Sequence, residues 1–118
     1  MNQIHGIPLS ELSCEACEGG IEAIGAGEME KMLGELGDKW TIVDGHHLFR
    51  KFGFKNFQKA LEFTNRVGAL AEEEGHHPDI LVGWGKAEVT MWTHAVNGLT
   101  LNDFILASKI SAIRSKGR

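Results

Sequence analysis

The chain has 118 residues, which suits one domain and leaves too little apolar surface for a second buried core. Hydrophobic residues make up 42% and charged residues 24%, which excludes a disordered chain, and a formal net charge of -4 argues against a nucleic-acid-binding surface. Because the sequence shows neither a run of about 20 apolar residues nor a secretory signal pattern, we expect a cytoplasmic protein without membrane contact.

The chain begins with a glycine-rich stretch that has neither helical nor strand periodicity. We therefore predict an irregular arm over 1–27, followed by a single domain over 28–118. The first predicted helix begins at Glu28 and carries methionines and leucines at helical spacing until Gly37 ends it.

Two apolar runs within 40–54 flank Asp44-Gly45, a dipeptide that suits the positive φ angles of a tight hairpin turn. Asn56 can then cap a long helix that runs to Glu74. The apolar stripe predicted for this helix consists of Phe57, Ala60, Leu61, Thr64, Val67, Gly68 and Leu70 or Ala71.

A second pair of strands is predicted within 80–92, with Gly83 and Gly85 supplying the turn. Thr100 can cap the last helix, and Asp103 three residues later gives an arrangement similar to a capping box. The elements therefore follow the order helix, strand, strand, helix, strand, strand, helix.

This order predicts an α+β domain in which three helices cover one face of a four-stranded antiparallel sheet. A strand at the edge of a sheet exposes unpaired backbone groups. Pairing of two such edges across a two-fold axis offers a route to a homodimer.

Three histidines lie in the two connections that a hairpin of the last two strands would bring together. His76-His77-Pro78 follows the long helix, where Gly75 ends the helix and the proline favours an extended backbone before it. His94 follows the last strand, so a path up one strand and down the other returns the chain to about the level of His76. The three imidazoles can therefore share one cleft.

Histidine suits acid–base chemistry because its unperturbed pKa of about 6.5 makes both protonation states available near neutral pH. A dehydration needs two such groups, one to protonate the departing hydroxyl and one to take a proton from an adjacent atom. Two alternatives stay open: the histidines are structural or surface residues, or they bind Zn²⁺. Metal binding is disfavoured because adjacent histidines in an extended segment point to opposite sides. We expect no metal and no cofactor.

The segment that contains these histidines resembles the pattern of the pterin-4a-carbinolamine dehydratases. In that pattern a polar or acidic residue precedes His-His-Pro, and an aromatic residue, a separate histidine and an aspartate follow. The matching residues are Glu72, His76-His77-Pro78, Trp84, His94 and Asp103. The similarity covers roughly 40–110, and the N-terminal arm resembles bacterial members, which favours enzyme activity over the homeodomain-cofactor role of animal members.

The resemblance implies a hydro-lyase that converts 4a-hydroxytetrahydropterin to quinonoid dihydropterin and water, in support of tetrahydropterin recycling. It implies a catalytic set of three histidines, in which His76 and His94 form the acid–base pair and His77 helps to hold the pterin. Pro78 would shape the wall against which the flat ring lies.

Two carboxylates complete the implied substrate-binding set. Glu72 and Asp103 would orient histidines or contact the polar edge of the pterin, although a solvated helix end and a helix cap explain them nearly as well. The family fold places three helices on one side of a four-stranded sheet, and its dimerisation extends the sheet. The resemblance therefore implies a homodimer or a tetramer with a pterin as its substrate.

Two other functions stay open: a non-catalytic dimeric binding module or transcriptional coactivator, and a pterin-binding protein of molybdenum cofactor metabolism. Cys14 and Cys17 have the spacing of half a zinc site but lack a second pair, so we expect them to be reduced and exposed. His46-His47 follows the first hairpin turn and is interpreted as hairpin surface. A solvated helix end is predicted for four cationic residues, Lys109, Arg114, Lys116 and Arg118.

Overall fold

The computed structural model describes residues 23–37 and 39–116, and for residues 115 and 116 it describes the backbone alone. Most of the predicted arm, with its two cysteines, lies outside the described residues. The first helix, α1, spans Ala26–Leu36 and begins two residues before the predicted start at Glu28. Small residues at its start gave no apolar periodicity, which explains the difference. The predicted end is confirmed, since Gly37 follows the helix with a φ of 93°.

The long helix α2 spans Phe57–Glu74, and both of its predicted ends are confirmed. At its start the Asn56 side chain accepts a hydrogen bond from the backbone N–H of Lys59 at 2.9 Å. At its end Gly75 adopts a left-handed φ of 69°, and its N–H donates to the carbonyl of Ala71 at 2.9 Å. Local side-chain and backbone chemistry therefore determines where this helix begins and ends.

The last helix, α3, spans Leu101–Lys116 and begins directly after the predicted cap Thr100. The Asp103 carboxylate accepts from the Thr100 backbone N–H at 2.9 Å, which is the reciprocal half of a capping box. A short 3₁₀ helix, His94–Val96, lies between the sheet and α3.

Four strands form one antiparallel sheet in the order β1-β2-β4-β3. Their bounds are Thr41–Val43 for β1, His47–Gly53 for β2, Asp79–Gly83 for β3 and Lys86–Met91 for β4. The turn between β1 and β2 has φ angles of 55° at Asp44 and 65° at Gly45, as hairpin turns of the predicted kind require. Asp79 pairs with Thr90, so the start of β3 and the end of β4 lie at the same end of the sheet.

The core lies on one face of this sheet, beneath the three helices. The buried side chains of β2 and β4 all point to that face: Leu48, Phe52, Ala87, Val89 and Met91. Helix α3 adds a run of buried residues from Phe104 to Ala107 and Ile110. The opposite face is more polar and carries a Lys86–Glu88 ion pair at 3.4 Å. The predicted α+β architecture with helices on one face is confirmed.

The buried face of α2 differs from the predicted stripe. The structure buries Ala60, Phe63, Val67 and Ala71, whereas Phe57 is 44% exposed and Leu61 38% exposed. Phe63 is buried because its ring packs against that of Phe52, with centroids 4.6 Å apart. The predicted stripe was therefore right at Ala60, Val67 and Ala71 and wrong at Phe57 and Leu61, and it omitted Phe63. Neither α2 nor any other described helix is both long and apolar enough to cross a membrane.

Candidate active site

A cleft of about 360 Å³ lies where the α2–β3 connection meets the β4–α3 connection. Six residues line it: Gly75, His76, His77, Trp92, His94 and Ala95. The two connections are neighbours because β3 starts at the end of the sheet where β4 finishes. The structure thus places all three histidines of the sequence motif around a single cleft.

His76 is the buried member of the set, with 4% of its surface exposed. Its Nε2 lies 2.7 Å from Oδ1 of Asp103, and its backbone N–H donates to the carbonyl of Ala71 at 3.2 Å. Because a carboxylate oxygen accepts, we place the ring proton on Nε2 as the donor. This short contact holds the imidazole in one orientation.

Asp103 is fully buried in the first turn of α3, and its two oxygens have different partners. Oδ1 faces His76, while Oδ2 accepts from the Thr93 hydroxyl at 2.7 Å and from the Thr100 N–H at 2.9 Å. Since Thr93 gives its only hydroxyl hydrogen to Asp103, the Thr100 hydroxyl donates to Thr93 Oγ1 across 2.8 Å. Asp103 therefore caps α3 and contacts His76 at the same time.

His77 points the opposite way and has 59% of its side chain exposed. Its Nε2 lies 2.9 Å from Oε2 of Glu72, in the last turn of α2. Glu72 is 79% exposed, so water competes for this pair and its hold on the ring is weaker than that of a buried carboxylate. His77 and Glu72 form the solvent-facing rim of the cleft, and the half-buried Pro78 follows them into β3.

His94 is exposed at the first residue of the 3₁₀ helix, on the other connection from His76. Its ring stacks on the indole of Trp92, with centroids 4.5 Å apart and an angle of 15° between the planes. Trp92 is half-buried, so it provides a fixed surface that limits the orientations of His94.

His46 and His47 lie at the first hairpin turn, as interpreted from the sequence, but both rings are half-buried and pack against Trp92, at centroid distances of 5.0 and 5.9 Å. The β1–β2 turn reaches Trp92 because Leu48 pairs with Met91 in the sheet. The His46 Nε2 donates to Oδ1 of Asn97 at 2.9 Å, and the His46 and His47 Nδ1 atoms lie 3.0 Å apart.

Not every residue of the sequence motif lies at the cleft. Trp84, the aromatic residue of the pattern, is 75% exposed in the β3–β4 turn, at the far end of that hairpin. Trp92 and Thr93, by contrast, were not predicted as site residues. Their position directly before His94 was the one signal in the sequence that pointed to them.

The site offers paired imidazole and carboxylate groups for proton transfer. His76 and His77 point apart, one towards Asp103 and the other towards Glu72. Within residues 23–37 and 39–116, no three His, Cys, Asp or Glu side chains are grouped so as to hold a metal ion.

A family model described as "Pterin 4 alpha carbinolamine dehydratase" matches residues 22–113. Two similar relatives carry the name "Putative pterin-4-alpha-carbinolamine dehydratase". The one from Rubrobacter xylanophilus is 49% identical over 105 residues and covers 89% of this chain and 97% of the relative. The one from Rickettsia canadensis is 48% identical over 104 residues and covers 88% of this chain and 95% of the relative.

Two solved structures have a similar fold. One, described as "transcriptional coactivator/pterin dehydratase from Brucella Melitensis", matches with a TM-score of 0.73 and 35% identity, covering 78% of this chain and 98% of that one. The other, a "pterin dehydratase-like protein" described as a RuBisCO assembly factor, matches with a TM-score of 0.56 and 24% identity, covering 66% of this chain and 92% of that one. The second match bears on the fold alone.

Proposed function

Because the chain belongs to the pterin 4 alpha carbinolamine dehydratase family, we propose that it converts a 4a-hydroxytetrahydropterin to quinonoid dihydropterin and water. The observation that carries this proposal is the convergence of His76, His77 and His94 on one cleft beside two carboxylates. The cleft volume of about 360 Å³ lies within the range of small-molecule sites. The reaction would serve tetrahydropterin recycling in the cytoplasm, without a metal or cofactor.

The reaction removes a hydroxyl from C4a of the pterin and a proton from the adjacent ring nitrogen. A protonated imidazole gives its proton to the hydroxyl, which leaves as water, while a neutral imidazole accepts the ring proton. We assign these roles to His76 and His94, because they approach the cleft from different connections. Asp103 orients His76 and would stabilise its positive charge, as the carboxylate of a catalytic triad does.

His77 is assigned to pterin binding rather than to proton transfer. Its exposed ring, held by Glu72 at the rim, can donate to or accept from the polar edge of a pterin. Pro78 presents a half-buried apolar surface beside it, which suits the face of a flat ring.

The test is a comparison of single and double histidine variants. We expect H76A/H94A to lower the turnover of 4a-hydroxytetrahydropterin by about 100-fold or more, because both proton-transfer groups are lost. H77A should mainly raise KM. The measurements are the rate of quinonoid dihydropterin formation above the spontaneous rate, and binding of a reduced pterin by fluorescence.

Three outcomes would contradict the proposal. Wild-type protein without dehydratase activity would exclude the reaction itself. A folded H76A/H94A variant with wild-type turnover would exclude the assigned roles, and loss of the fold in all three single alanine variants would reduce the histidines to structural residues. Circular dichroism of each variant separates loss of folding from loss of chemistry.

A second candidate, favoured by the description of the Brucella structure, is a dimeric binding module or transcriptional coactivator. The free edges of β1 and β3 in the described sheet support the proposal of a homodimer formed by sheet extension. Light scattering of the purified chain gives its oligomeric state. If the chain is a coactivator without enzyme function, the wild-type protein should have no dehydratase activity. The H76A/H94A variant should then bind the protein partner as well as the wild type does.

A further inference from the structure

A second cavity, of about 650 Å³, lies away from the histidine cleft and shares none of its lining residues. It is formed by the end of β2, the first half of α2, the β3–β4 turn and the last turns of α3. Its lining consists of Gly53, Phe54, Lys55, Lys59, Glu62, Phe63, Arg66, Gly85 and Arg114. From Lys59 to Gly75 the axis of α2 rises about 24 Å, so the two cavities lie towards opposite ends of that helix.

The charge of this cavity is opposite to that of the whole chain. Four cations and one carboxylate line it, a balance of 4 − 1 = +3, whereas the formal charge of the chain is -4. The carboxylate, Glu62, lies 3.7 Å from Lys59, and both side chains are about half exposed, so this pair is weak. The first turn of α2, at the positive end of the helix dipole, carries no acidic residue. Cations gathered without matching anions repel one another, and a bound anion would relieve that repulsion.

Arg114 is held in position at the wall of the cavity. Its guanidinium lies 4.6 Å from the centroid of the Phe54 ring and donates to the carbonyl of Gly53 at 2.8 Å. The planar guanidinium has five N–H donors, so this one bond leaves it able to make the bidentate contacts that suit phosphate and carboxylate oxygens. Arg114, which was predicted as part of a solvated helix end, is half-buried and makes these two contacts within the protein.

The floor of the cavity is aromatic. The rings of Phe54 and Phe63 lie 5.1 Å apart, with Phe54 half-buried and Phe63 buried. A ligand of inorganic phosphate alone would leave this apolar surface uncovered, whereas a planar or apolar group beside the anion would cover it.

We propose that this cavity is a second binding site, for a small organic molecule that carries a phosphate group next to an aromatic or apolar group. Arg114 and Arg66 contact the phosphate, Lys55 and Lys59 add positive potential, and Phe54 contacts the apolar group. Because the site shares no residue with the histidine cleft, a test of phosphate binding here does not depend on whether the chain is a dehydratase.

The experiment is a titration of the ¹⁵N-labelled full chain with phenyl phosphate, inorganic phosphate and phenol, followed by amide chemical shifts. With phenyl phosphate we expect saturable changes in the amide chemical shifts of Gly53, Gly85 and the start of α2. Inorganic phosphate should bind more weakly, and phenol should not bind. R66Q and R114Q should each weaken the binding of phenyl phosphate by about tenfold, because each substitution removes a charged hydrogen-bond donor. K51Q is the matched control, because Lys51 is an exposed cation outside the cavity.

Several results would overturn the proposal: no saturable shift up to about 10 mM ligand, equal affinity for phenyl phosphate and inorganic phosphate, or equal weakening in K51Q and R66Q. Shifts centred on the histidine cleft would do the same. If R114Q fails to fold, R66Q still decides the question, because Arg66 is exposed on the surface of α2.

Discussion

Asp103 joins three parts of the chain through one buried carboxylate. It accepts from His76 after α2, from Thr93 after β4 and from Thr100 before α3. With no exposed surface, it has no water to replace a lost partner, so each of these bonds matters more than a bond at the surface. The residue that caps the last helix therefore also determines how the buried histidine is presented.

Asp103→Asn tests this double role. Asparagine has one accepting oxygen where aspartate has two, so its amide nitrogen must face either His76 or the Thr93 and Thr100 donors and cannot accept from them. We therefore expect a loss of about 1 to 3 kcal/mol in the free energy of unfolding. Turnover per folded molecule should fall by about tenfold or more, because His76 loses its orienting carboxylate. Urea denaturation and kcat measured on the same preparation give the two quantities.

Glu72→Gln is the matched control for stability. Its carboxylate is 79% exposed, and we expect the free energy of unfolding to change by less than about 0.5 kcal/mol. A D103N protein that is destabilised but turns over at the wild-type rate would limit Asp103 to helix capping.

At the scale of elements, the junction between α2 and β3 determines where the motif histidines lie. Gly75 ends the helix in the left-handed region, with φ of 69°, and the chain then turns so that His76 enters the core and His77 faces solvent. A side chain at Gly75 would meet no atom within 4 Å, so the requirement for glycine there comes from the backbone conformation and not from space.

Gly75→Ala should lower the free energy of unfolding by about 1 to 2 kcal/mol, because alanine disfavours the left-handed conformation. Gly68→Ala is the control in the same helix: it also meets no atom within 4 Å, and alanine there should raise stability by about 0.5 to 1 kcal/mol. Thermal or urea unfolding measures both. Equal effects at the two positions would contradict the assignment of a left-handed cap.

At the scale of the whole molecule, one face of the sheet carries the core. Helix α2 packs against the sheet and against α3, and α1 packs against α3. Phe63 is buried between α2 and the sheet, where its ring contacts those of Phe52 and Phe54. Phe57, six residues before it on the same helix, is 44% exposed. The depth of burial, and not the residue type, should therefore decide the cost of substitution.

Phe63→Ala should destabilise the protein by about 3 to 5 kcal/mol, since it removes a buried ring and leaves a cavity. Phe57→Ala should cost about 1 kcal/mol or less, because water already covers much of its ring. Chemical denaturation of both variants gives the difference. Similar losses would show that the exposed ring is covered in solution, for example by a second copy of the chain.

The sequence by itself determined the order of elements, the ends of α2 and the start of α3. These depend on local bonds between a side chain and the nearby backbone, as at Asn56, Gly75 and Thr100, and such bonds can be read from neighbouring residues. It also indicated that His76 and His94 come close, because a hairpin returns the chain to its starting level.

Only the tertiary structure decided which histidine is buried, which phenylalanine of α2 is buried and what surrounds Trp92. Those outcomes depend on contacts between distant parts of the chain: Asp103 lies 27 residues from His76, and the His46 side chain bonds to Asn97, 51 residues away. Apolar periodicity assigned Phe57 and not Phe63 to the core, whereas packing against Phe52 buries Phe63. Long-range packing therefore gave each residue of the histidine motif its own environment.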